Sequence, residues 1–153
     1  MRLLCDHMLG SLARWLRFMG YDTAYPDPGP DRTLIERADA EGRILITRDK
    51  ELGARTPGSV LIRSDRLEEQ IREVAAVLPL RVVDPLSRCS ICNETLLAVS
   101  GEAVEAIVPE GVRSRHRAFW RCPSCQRVYW RGSHWDKMVA RLDEFDLPRP
   151  TEP

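Results

Sequence analysis

Short apolar runs alternate with amphipathic stretches through the first half of the chain. Leu3-Leu4-Cys5 belongs to a buried strand over Arg2–Cys5 that ends at Asp6. Over Met8–Met19, Leu9, Leu12, Ala13, Leu16 and Met19 recur at helical spacing, and Gly20 supplies the stop. A second strand spans Asp22–Tyr25. After the loop Pro26-Asp27-Pro28-Gly29-Pro30, a helix starts near Asp31 or Thr33 and runs to Gly42, with Thr33 and Glu36 at capping-box spacing. Ile44-Leu45-Ile46-Thr47 has the unbroken apolarity of a parallel strand covered on both faces, and it stops at Arg48-Asp49. A helical turn to Ala54, a strand at Val60-Leu61-Ile62 and a helix from Asp65 to Leu78 follow. This alternation predicts right-handed crossovers and an α/β fold, a parallel sheet with helices on both faces.

The pattern changes after Asp84-Pro85-Leu86-Ser87. Two C-x-x-C pairs follow, Cys89/Cys92 and Cys122/Cys125, together with three of the four tryptophans. The expected organisation is a first domain over residues 1–84, a cysteine-bearing unit over 85–147 and a frayed tail over 148–153. A closing helix over Ser133–Leu142 places Trp135, Met138, Val139 and Leu142 on one face, with Ser133 and Asp136 at capping-box-like spacing.

The chain has 153 residues, 43% hydrophobic and 30% charged, which suits a folded globular protein and excludes a mainly disordered chain or a disulfide miniprotein. No apolar run approaches the length of a membrane span, and no secretory signal opens the chain, so the expected location is cytoplasmic. Lys plus Arg and Asp plus Glu are both 23, so overall charge does not announce a partner. Distribution does. Between Glu110 and Asp136 there is no acid, while Arg113, Arg115, Arg117, Arg121, Arg127 and Arg131 alternate with Phe119, Trp120, Tyr129, Trp130 and Trp135. Arginines for phosphates and aromatics for bases suit a single-strand binding surface, with packing against the first domain as the alternative use of the rings.

Four cysteines at this doubled spacing satisfy a tetrahedral zinc completely, so a structural zinc on Cys89, Cys92, Cys122 and Cys125 is expected, with a β-hairpin between the pairs. The carboxylates point elsewhere. Asp6 and Asp49 each follow a predicted buried strand. If the strand order is 2-1-3-4, they meet at the switch point, where parallel sheets bind ligands. Asp31 comes from the same edge and Asp65 is a further candidate. Clustered carboxylates suit divalent magnesium or manganese and phosphodiester hydrolysis. Each acid also precedes a helix, where Asp is a favoured N-cap. Arg14 and Arg17 from the first helix, and Arg48, are candidates to hold phosphate; Cys5 reads as a core thiol.

These motifs together resemble a known family. Asp6-His7-Met8-Leu9-Gly10-Ser11-Leu12-Ala13-Arg14-Trp15-Leu16-Arg17, Ile44–Asp49, Arg88-Cys89 with Cys92-Asn93, and Cys122 and Cys125 with Tyr129–Trp135 look like the motifs of the Mut-seven-type C-terminal RNase domain. The resemblance covers nearly the whole chain. It implies a PIN-like nuclease domain fused to a zinc ribbon, and a metal-dependent ribonuclease with Asp6, Asp31 and Asp49 as its acidic site. Arg115 and Arg117 are expected to contact the RNA. The competing readings are a non-catalytic zinc-ribbon RNA-binding module, and a DNA nuclease or phosphatase using the same acids.

Overall fold

In the computed structural model, which describes residues 1–147, the first four strands form one parallel sheet. They are β1 (Arg2–Cys5), β2 (Asp22–Ala24), β3 (Ile44–Thr47) and β4 (Val60–Leu61), in the order β2-β1-β3-β4. The expected order is thus found, and the switch point lies between β1 and β3. Register fixes which side chains face which way. Leu3 and Cys5 point into one apolar layer, while Leu4 points into the other with Leu45. The helices are α1 (Gly10–Phe18), α2 (Asp31–Glu41), α3 (Lys50–Arg55) and α4 (Leu67–Val77). Leu12 and Leu16 of α1 and Ile71 and Val74 of α4 fill the first layer; Leu34 and Ala38 of α2 and Leu52 of α3 fill the second.

Both expected capping boxes are absent. Pro30 stands at the N-cap of α2 with no side-chain cap, because its fixed φ already sets the entry and the helix begins at Asp31 itself. Gly132 takes the N-cap of the last helix, which makes Ser133 its first residue. The C-terminal stops are as read: Gly42 is left-handed at φ 61°, and Gly20 has φ 103° with the Asp84 backbone nitrogen 2.8 Å from where a Cβ would sit.

The second half builds a three-stranded antiparallel sheet from β5 (Leu97–Val99), β6 (Phe119–Arg121) and β7 (Val128–Tyr129). The segment between the cysteine pairs is more than the expected hairpin. β5 and β6 pair antiparallel, but residues 100–118 leave the sheet as a 3-10 turn at Glu102–Val104 and a short helix α5 (Glu110–Arg113). Val104, Val108 and Phe119 give this excursion a small core of its own. The tail expected to fray, 148–153, lies outside the described residues.

The final helix, α6 (Ser133–Glu144), returns to the first half. Trp15 meets Phe145 edge-on with ring centroids 5.5 Å apart, and Phe18 meets Trp135 at the same distance. Leu86, Cys89, Leu96, Cys122, Leu142 and Phe145 belong to the same buried cluster as Leu3, Leu12 and Leu16. Each large apolar side chain buried across this seam contributes on the order of 2 kcal/mol. Among the described residues, no helix is long and apolar enough to cross a membrane.

Candidate functional site

Asp6 leaves β1 at the switch point and is 4% exposed. Its backbone N–H continues the ladder to Ile46, 3.0 Å away. Its carboxylate accepts from the Met8 N–H at 3.0 Å, the Arg48 N–H at 2.9 Å and the Thr47 hydroxyl. The Thr47 hydroxyl in turn accepts from the Asp49 N–H at 3.0 Å. One hydroxyl therefore joins the ends of β1 and β3. Asp49 is the N-cap of α3, its Oδ1 accepting from the Glu51 and Leu52 N–H groups at 2.9 and 3.1 Å. Among the described residues its Oδ2 has no hydrogen-bond partner.

Asp31 stands apart from this pair. It opens α2 and forms an ion pair with Arg55 of α3 at 3.5 Å. Among the described residues, only the four cysteines form a group of three or more ligands close enough to share a metal ion. The expected three-acid cage is therefore not assembled. What remains is Asp6 and Asp49, joined through the Thr47 hydroxyl, which donates to the Asp6 carboxylate and accepts from the Asp49 backbone N–H. Magnesium commonly takes one or two carboxylates and fills its other positions with water and substrate phosphate, so a set of fewer than three acids is compatible with such an ion. Asp65 is exposed beyond β4.

The arginines divide. Arg14 is exposed, and neither it nor Arg48 makes a side-chain hydrogen bond or ion pair among the described residues. Arg17 departs from its expected role as a phosphate ligand. It is 7% exposed, its Nε donates to the Thr23 carbonyl at 2.8 Å, and its Nη1 donates to the Ser90 and Ile91 carbonyls at 2.9 and 3.2 Å. It is a buried strut between the sheet and the first cysteine turn. Arg115 and Arg117 are exposed just past α5, where Arg115 donates to the Gly111 carbonyl at 2.8 Å.

The cysteine turns are built alike. In each, the second cysteine's N–H points at the first sulfur, Cys92 to Cys89 at 3.4 Å and Cys125 to Cys122 at 3.5 Å. The next residue is left-handed, Asn93 at φ 66° and Gln126 at φ 64°, and its N–H donates to the first cysteine's carbonyl at 2.9 Å. This doubled geometry brings all four sulfurs within 4.8 Å of one another. Zinc–sulfur bonds of about 2.3 Å set tetrahedral sulfurs about 3.8 Å apart; Cys89 and Cys125 are 3.7 Å apart. Four sulfurs converging on one point are the donor set of a closed zinc site. Without a cation they compete for ionisation: burial pushes the Cys92 thiol up to about 12, while the Arg127 N–H helps hold Cys125 down to about 7. Cys5, wholly buried, has its thiol pushed up by desolvation and by Asp6, and is the core thiol expected.

One joint between the two halves was not read from the sequence. Asp22 of β2 accepts from Arg43 Nη1 and Asn93 Nδ2, both at 2.7 Å. Asn93 Oδ1 also accepts from the Thr23 N–H at 2.9 Å. Burial by itself would raise the Asp22 carboxyl, but the Arg43 and Asn93 hydrogen bonds outweigh it and hold it down to about 2. A residue after C-x-x-C suggests only a turn; its partner 71 positions away becomes visible once the chain is folded.

A sequence profile of the Mut7-C RNAse domain family matches residues 1–142. The chain is similar to the human exonuclease mut-7 homolog, 33% identical over 128 residues, which cover 74% of this chain and 15% of that protein. It thus spans well under a fifth of its relative's length. No solved structure gives a significant match. Because the profile runs from β1 through both cysteine turns and into α6, the chain belongs to the Mut7-C RNAse domain family.

Proposed function

We propose that this chain is a nuclease that hydrolyses RNA phosphodiester bonds at the ends of β1 and β3, with magnesium or manganese held by Asp6 and Asp49. The cysteine cluster holds one structural zinc and no reacting group. The observation that carries the reading is the Asp6–Thr47–Asp49 linkage across the switch point of a parallel sheet. Family membership and the name of the human relative point the same way. The PIN-like description of the sheet belongs to the same proposal. So does a cytoplasmic setting, where reduced thiols serve as zinc ligands.

The roles follow from the contacts. Thr47 and two backbone N–H groups fix the Asp6 carboxylate in one orientation. Asp49 is held through Oδ1 and offers Oδ2. A divalent cation bound there supplies a water of lowered pKa and charge for the phosphoryl oxygens. Arg48 and Arg14, without ion-pair partners among the described residues, hold the flanking phosphates. Asp31 lines the same edge without joining the pair. One observation favours a non-catalytic RNA-binding module instead: both Asp6 oxygens already accept hydrogen bonds.

Asp49→Asn tests the reading, because the amide oxygen can still cap α3 while the charge is lost. Cleavage of labelled single-stranded RNA should require added magnesium or manganese and fall by roughly 100-fold or more in this variant. Wild-type cleavage by Asp49→Asn would remove the carboxylate pair from the chemistry. Parallel assays on DNA and on a small phosphate ester decide between ribonuclease, DNA nuclease and phosphatase.

A further inference from the structure

A groove of about 520 Å³ runs between α1, the first cysteine turn, β7 and the start of α6. We propose that it seats single-stranded nucleic acid, with an unpaired base against its tryptophans and the adjoining phosphates on Arg14 and Arg127. This rests on the nuclease reading only for what happens to the strand afterwards.

Charge is the first observation. The protein carries 23 acids, yet none lines this groove; its charged residues are Arg14, Arg88 and Arg127, with His134 beside them. The second observation is the rings. Three of the four tryptophans, Trp15, Trp130 and Trp135, line it. They are also held in place. The Arg131 guanidinium lies 5.2 Å from the Trp135 ring centroid, and Phe18 meets the same ring edge-on. Trp130 leans on Phe119, and its Nε1 occupies space that a Cβ on Gly132 would enter at 2.8 Å. Fixed aromatic faces within a cationic wall suit a base and its phosphates, because stacking accepts any base while the arginines neutralise the backbone. The volume falls in the range of small-ligand clefts, enough for a nucleotide.

The third observation is continuity. A second cavity of about 320 Å³ shares Arg14, Ser90 and Ile91 with the groove and extends it past Gly10 to Tyr25. It too has no acid in its lining. The Tyr25 hydroxyl donates to the carbonyl of His7, the residue after Asp6. A strand seated at the tryptophans therefore has an acid-free path toward the carboxylate pair. Arg115 and Arg117 line neither cavity.

The test uses the full zinc-loaded chain, a fluorescein-labelled 2′-O-methyl oligouridylate that resists cleavage, and buffer without chelator or added divalent cation. Binding should quench tryptophan emission, and a duplex of the same strand should bind at least about tenfold more weakly, because its bases are paired. Arg14→Ala with Arg127→Ala should weaken single-strand binding by about tenfold or more and reduce the salt slope by about 1.4, or roughly 0.7 per lost phosphate contact. The Arg115→Ala, Arg117→Ala pair should lose less. The proposal is overturned if the oligonucleotide binds without quenching, or if the Arg115/Arg117 pair carries the larger loss. It is also overturned if sedimentation shows the groove occupied by a second copy of the chain, dissociated by the Arg14/Arg127 changes. Because the probe cannot be cleaved, binding as expected without RNA cleavage by the same protein leaves the groove and removes the nuclease reading. Cleavage with unaltered binding by the groove variants does the reverse.

Discussion

The carboxylates at the ends of β1 and β3 and the thiols of the cysteine turns are held in opposite ways. Asp6 is surrounded by donors from its own chain, so its carboxylate is fixed in one orientation before any ligand arrives. The four sulfurs lie within 4.8 Å of each other, so a cation is needed before all four can ionise. The first arrangement folds around hydrogen bonds and leaves Asp49 Oδ2 available to a ligand. The second is suited to folding around a metal. Under the proposed function, a metal at the first place would be tuned for exchange and chemistry, and one at the second for permanence.

The contrast breaks most severely at Cys122. Cys122→Ser should abolish stoichiometric zinc, measured by elemental analysis, and cost on the order of 4 kcal/mol or more, since a structural site couples metal affinity to folding. Because α6 packs against Trp15 and Phe18, the loss should also reach the first half, seen as loss of the tryptophan near-ultraviolet signal. Zinc-free wild-type protein with unchanged unfolding would end the assignment.

A smaller effect separates the two carboxylates. Asp6→Asn turns an amide NH₂ toward donors at Met8, Thr47 or Arg48, and should cost about 1–3 kcal/mol. Asp49→Asn keeps a capping oxygen and should cost less than about 1 kcal/mol. Urea midpoints of the two variants decide. Equal stabilities would mean that Asp6 is not the carboxylate fixed by its own fold.

An effect of similar size lies at the joint between the halves. Asp22 is held at about 2, below the usual carboxylate range, so its contribution is complete above about pH 4 and is lost as pH falls toward 2. The size is about 2 kcal/mol. Asp22→Asn should be destabilised relative to wild type at pH 5 and match it near pH 2. A constant gap across that range would mean the carboxylate's charge is not what joins Arg43 and Asn93.

The strands and helices of the first half were readable because period and punctuation agree there: Leu3-Leu4-Cys5 stops at Asp6, and Gly20 and Gly42 stop their helices. Strand order entered the sequence reading only as a condition, because crossover handedness leaves it open; the fold supplies it as β2-β1-β3-β4. The cysteine cluster was readable from spacing alone, since a local turn fixes each pair. The capping boxes misled because Pro30 and Gly132 start their helices by backbone conformation, which competes with a Thr or Ser three residues before an acid. The excursion over residues 100–118 was hidden because its only core is Val104, Val108 and Phe119, too few residues to impose a period. Arg17 looked solvent-facing from its helical spacing with Arg14. Its true partners, the carbonyls of Ser90 and Ile91, lie more than 70 positions later, and no local pattern records them.

Thr23 carries a consequence for self-association. It sits on β2, an outer strand of the parallel sheet, and its N–H and C=O are taken by Asn93 and Arg17 rather than by another strand. An open strand edge is a template on which a second chain can extend the sheet. Here the cysteine turn and a helix side chain plug that template, and the plug stays only while the turn keeps its shape. Metal loss would therefore turn an inert border into an adhesive one, and the zinc-stripped protein should precipitate through β2 before its parallel sheet has unfolded.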